Sequence, residues 1–121
     1  MPRKPKRSSK ALVALIVEVL DDLKATNVVS IDVRHLTSFT DTMIVASGRS
    51  DRHVRAIADA LVERCRADGY VPIGVEGMEG GEWVLIDLAD AVVHVMQPKT
   101  RDFYEIEKLW DISAAKFASE T

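Results

Sequence analysis

The constraint that does most to narrow the fold is a spacing. Three apolar, β-branched runs occupy Val71–Val75, Glu82–Leu88 and Ala91–Met96, and only Ala89 and Asp90 separate the last two. Two residues suffice for a tight antiparallel hairpin and cannot carry a parallel crossover. Two further strand-like runs precede them, Val28–Val33 and Thr42–Ser47, with the polar loop Thr37–Asp41 leading into the second. In the first of these, Val29, Ile31 and Val33 share one face, with Ser30 and Asp32 on the other. The second is a nearly continuous apolar run, as expected of a central strand covered on both faces. Five strands so connected exclude a uniformly parallel sheet.

Helical periodicity supplies the rest. Leu12, Leu15, Ile16, Val19, Leu20 and Leu23 recur at helical spacing after a cap at Ser8 or Ser9, with Asn27 as terminator. Val54, Ile57, Ala58, Leu61, Val62 and Cys65 form a second stripe, capped by Ser50 or Asp51 and stopped by Gly69. A third helix is predicted from near Thr100, carrying Phe103, Ile106, Leu109 and Trp110. The order α, β, β, α, β, β, β, α predicts one α/β domain, a mixed five-stranded sheet with helices packed on it. Its bounds are residues 9–112, between a disordered basic tail at 1–8 and a C-terminal tail at 113–121.

Charge divides the chain unevenly. The first ten residues hold five of the sixteen basic groups and no acidic one; the remainder carries a balance of −8. Such a body is repelled by phosphate backbones and drawn to basic partners. The tail reads as a disordered, solubilising arm, or as an arm that touches RNA once the body has docked on something else. No apolar stretch approaches the length of a membrane span, and no signal-peptide cleavage pattern is evident. A sole cysteine, Cys65, fits a reducing cytoplasm. It lies on the apolar stripe of its helix, where a structural role is expected.

Catalytic signatures are missing. There is no GxGxxG, no GxxxxGK[ST], no GxSxG and no HExxH. Gly48-Arg49-Ser50 at a helix start reads as a turn with a cap, and only secondarily as an anion cradle. Asp32, Asp41, Asp87 and Asp90 near strand ends suit capping and turn chemistry, with magnesium binding as the alternative. His94 lies between Val93 and Val95 and faces away from them; a packed or surface histidine is the expectation. Aromatics make up 6% of the chain and show no RNA-reading pattern. No enzyme, cofactor or metal is expected. What remains is Trp83, sharing a strand face with Leu85, while Val84 and Ile86 take the other face. On the residues alone, that tryptophan is either core or the anchor of an interface.

Several stretches resemble the ribosomal silencing factor (Iojap) family. They are Ser38-Phe39-Thr40-Asp41, Ala46 to Val54, Gly74-Val75-Glu76-Gly77, Glu82 to Asp87, Asp90 to Val95 and Arg101 to Trp110, in the family's order. The resemblance implies a nucleotidyltransferase-like fold without catalysis. It implies a protein that binds the large ribosomal subunit at ribosomal protein number fourteen, blocks joining with the small subunit, and represses translation when nutrients are scarce. Organellar relatives imply an alternative, large-subunit assembly; a degenerate nucleotidyltransferase-like enzyme is the other alternative. The family's interface tryptophan matches Trp83, and Val84, Leu85 and Asp87 follow as neighbours. Tyr104, Leu109 and Trp110 match the final helix, with service in the core as the alternative. Ala89 departs from the family, where a glycine is commoner, and that leaves the turn type of the hairpin open. Off the ribosome, the Trp83 face or a sheet edge is expected to pair two copies as a homodimer.

Overall fold

A computed structural model describes residues 9–108. The tails expected at 1–8 and 113–121, together with Leu109 and Trp110, lie outside the described residues. The elements run α1 (Ser9–Asp22), β1 (Thr26–Asp32), β2 (Thr42–Ser47), α2 (Asp51–Ala67), β3 (Gly74–Glu76), β4 (Trp83–Asp87), β5 (Ala91–Met96) and α3 (Pro98–Tyr104). One mixed sheet has the order β1-β2-β5-β4-β3. Its central pair, β2 and β5, is parallel, and every other neighbouring pair is antiparallel. No helix among the described residues is long and apolar enough to cross a membrane.

Both long helices pack on one face of the sheet. Leu12, Ile16, Val19 and Leu20 of α1 and Val54, Ile57, Ala58, Leu61 and Cys65 of α2 meet Ile44, Ala46, Val84, Ile86, Val93 and Val95, all buried. This is the main apolar core, formed by the stripes that the helical spacing predicts. Burial in it pushes the Cys65 thiol up to about 11, which keeps it protonated and inert. Ser50 caps α2, its hydroxyl accepting the His53 N–H at 3.0 Å. Beyond the helix, the Tyr70 N–H reaches the Cys65 carbonyl and the Gly69 N–H that of Arg66, with Gly69 at φ 91. That is the paired closure of a Schellman motif.

Four expectations need correction. First, α1 ends at Asp22 rather than near Asn27. Lys24 takes the left-handed position (φ 63), and the Ala25 and Lys24 N–H groups close onto Leu20 and Asp21. The same closure as in α2 is thus made without a glycine, so no sequence signal marks it. Second, Asn27 (φ 49) lies inside β1, where the register shifts between Thr26 and Val29; it forms a bulge and the strand starts early. Third, β3 is only three residues long, and Val71 and Ile73 are exposed ahead of it. Apolar content there does not reflect burial. Fourth, α3 starts at Pro98, not Thr100, and breaks at Glu105, which is left-handed (φ 47). Ile106 belongs to a separate turn beyond the break.

Candidate functional site

The second face of the sheet carries no long helix among the described residues. Its floor follows from register. Trp83 pairs Met96, Leu85 pairs His94 and Asp87 pairs Val92 across the hairpin; Val92, His94 and Met96 in turn lie beside Met43, Val45 and Ser47 of β2. Directly paired residues share a face. A smaller core forms on this side from Ile31, Val33, Met43, Val45, Met96 and Ile106, with Trp83 packed at its margin.

Trp83 is half-buried, and its position is fixed. The indole Nε1–H donates to His94 Nδ1 at 3.0 Å. Tyr104 lies against the indole with ring centroids 5.1 Å apart, and Phe103 meets Tyr104 edge-on at 4.9 Å. Tyr104 and Phe103 remain 53% and 78% exposed, so this aromatic row faces outward. Burial lowers His94 to about 4, so the ring is neutral near pH 7 and can accept the indole hydrogen. Next to His94, an apolar cavity of about 320 Å³ opens between the 37–40 loop and Ile106. Val33, Thr37, Met43 and Val92 line it, and Phe39 stands at its rim, 89% exposed.

The face brings together Trp83, Leu85, Asp87 and Tyr104. Leu85 and Asp87 are half-buried beside Trp83, and Asp87 also accepts the Ala89 N–H at 2.9 Å. Val84 is a correction: it is fully buried in the helix-side core, because alternation along β4 turns it away from Trp83. Its side chain is therefore not available to a partner on this face. Sequence reasoning missed His94, Phe39, Val92 and Met43 as members of the face. A signal existed for two of them: counting back from the hairpin places His94 opposite Leu85 and Val92 opposite Asp87.

The weaker candidate sites are occupied by local bonds. In the Gly48-Arg49-Ser50 turn, the Gly48 N–H donates to Met96 and the Arg49 N–H to His53 Nδ1. Asp32 is gripped by Arg34, which holds its carboxyl down at about 2, and Asp41 accepts from Ser9 at 2.7 Å. Among the described residues no group of three or more His, Cys, Asp or Glu side chains comes together as a metal would need.

Comparison with known proteins decides the kinship. The family described as "ribosomal silencing factor during starvation" matches residues 6–120. The chain belongs to the ribosomal silencing factor family. A ribosomal silencing factor of Haemophilus influenzae is 45% identical, over 83% of this chain and 98% of that protein. A crystal structure of a Chromobacterium violaceum protein superposes with a TM-score of 0.85 at 42% identity, covering 86% of this chain and 87% of that one. The mouse protein "Mitochondrial assembly of ribosomal large subunit protein 1" is 36% identical, over 88% of this chain and 50% of its own length. Ribosomal silencing factors are named for a regulatory role, not a catalytic one.

Proposed function

We propose that this chain silences ribosomes by docking its uncovered sheet face on the large ribosomal subunit, at ribosomal protein number fourteen. Seated there, it blocks joining with the small subunit and represses translation when nutrients are scarce. The observation that carries the reading is Trp83: a tryptophan half-buried and oriented by His94, set in an apolar face beside outward-facing Tyr104 and Phe103. An aromatic anchor that is already ordered loses little freedom on binding. The −8 balance outside the first ten residues suits a basic ribosomal protein. Leu85 and Asp87 flank Trp83 in the contact, and Leu109 and Trp110 extend it beyond the described residues. The basic tail adds at most an auxiliary contact to ribosomal RNA. The domain spans 9–112 and acts in the cytoplasm. Off the ribosome, the same face pairs two copies, so dimerisation and docking compete.

The test is co-sedimentation with isolated large subunits, read beside the yield of joined ribosomes. The wild type is expected to travel with large subunits and to reduce joining. Trp83→Ala is expected to lose binding while staying folded, at a stability cost of about 2 kcal/mol, because the ring is only half-buried. Normal joining in the presence of excess protein sinks the reading. Unfolding of the variant, seen by circular dichroism, would return Trp83 to a purely structural role. The name of the mouse relative favours a second reading, large-subunit assembly. Defective large subunits in growing cells lacking the gene favour assembly; a defect confined to starvation favours silencing.

A further inference from the structure

Arg101 is the one buried formal charge among the described residues. Its guanidinium meets both carboxylate oxygens of Glu107, at 2.7 and 3.0 Å, and its remaining branch donates to Ser47 Oγ at 2.8 Å. Ser47 ends β2 in the sheet, whereas Glu107 lies past the break at Glu105. One side chain thus ties α3, the turn that follows it and the sheet to one another.

We infer that Arg101 and Glu107 form a clasp that positions the aromatic rim of the docking face, holding Tyr104 against Trp83. The inference rests on the docking reading above and adds to it what sets the shape of the face. Three observations carry it. At seven residues, α3 is too short to hold itself in place by helical bonding alone. Tyr104 and Phe103 are mostly exposed, so burial does not anchor them. The left-handed Glu105 turns the chain back so that Glu107 reaches Arg101, and this places Tyr104 between the two ends of the ion pair in sequence. A buried ion pair gives little net stability over apolar groups of the same volume, but its bidentate geometry fixes position closely. Arg101 and Glu107 are positioning residues in this account, and neither needs to touch the ribosome.

The experiment uses the full chain, isotope-labelled, and follows the Trp83 indole N–H resonance, assigned by its loss in Trp83→Phe. Tyr104→Leu sets the resonance position of an indole without its stacked ring. Glu107→Gln and the milder Arg101→Lys are expected to move the resonance toward that position. They are also expected to weaken large-subunit binding by about tenfold or more. The exchange Arg101→Glu with Glu107→Arg is expected to restore both, because a serine hydroxyl at position 47 donates to a carboxylate as well as it accepts from a guanidinium. A wild-type resonance in both single variants overturns the clasp. So does a shifted resonance with undiminished binding, or weakened binding with an unmoved resonance. The resonance is read without ribosomes, whereas Trp83→Ala tests docking, so the two readings fail separately.

Discussion

At the scale of single residues, His94 shows how burial turns an ordinary side chain into a directional one. The unperturbed imidazole titrates near pH 6.5, and burial lowers it to about 4. With a depressed folded-state value, the unfolded chain binds the extra proton between those limits. The contribution is therefore complete above about pH 6.5 and is lost as pH falls toward 4. By linkage this amounts to about 3 kcal/mol. Urea titrations at several pH values are expected to show that decline, and His94→Asn is expected to flatten it. A wild-type slope in the variant would assign the acid sensitivity elsewhere. Trp83 has a related duality. Its pattern alone left core and interface equally open, and the structure leaves it half-buried, packed at the margin of the small core with exposed Tyr104 against the indole. Such half-burial depends on what lies across the sheet, which strand periodicity does not encode.

At the scale of elements, legibility followed the range of the interactions involved. The second helix could be read in full because its stripe, cap and glycine stop are all local. The β4–β5 hairpin could be read because two residues leave one geometry. Its turn could not. The Asp90 N–H donates to the Leu88 carbonyl across Ala89, which sits at φ 71. That is a positive-φ γ-turn, strained for any residue with a Cβ. Ala89→Gly relieves the strain and is expected to stabilise the domain by about 0.5–1 kcal/mol net of the added freedom of the unfolded chain. A higher urea midpoint at unchanged slope would register the gain, and an unchanged midpoint would show that the strain is absorbed by the neighbours. The break in α3 was illegible for another reason: Glu105 is an ordinary helix former, yet it takes the left-handed position at φ 47 without a glycine to mark it. The early start of β1 and the brevity of β3 likewise depend on a bulge and on exposed apolar residues that leave no pattern in sequence.

At the scale of the whole molecule, the sheet has two unlike faces. The face under α1 and α2 contains the large core; the other face has the small core, the oriented tryptophan and the exposed aromatic row. On the proposed docking reading, stability and docking should therefore be separable by mutation. Leu61→Ala, beneath α2, is expected to cost about 2–5 kcal/mol of stability while the folded fraction keeps its affinity for large subunits. Loss of affinity at temperatures where the variant remains folded would show the two faces to be coupled. The pairing at the centre of the sheet has a separate consequence. Every antiparallel ladder joins strands that are consecutive in sequence, but β2 meets β5 only after α2, β3 and β4 have been made. During synthesis, β1–β2 therefore emerges long before its permanent neighbour, with an apolar edge bare. Closing that long loop is expected to slow folding, and a nascent chain stalled before Ala91 is expected to keep that apolar edge exposed to aggregation.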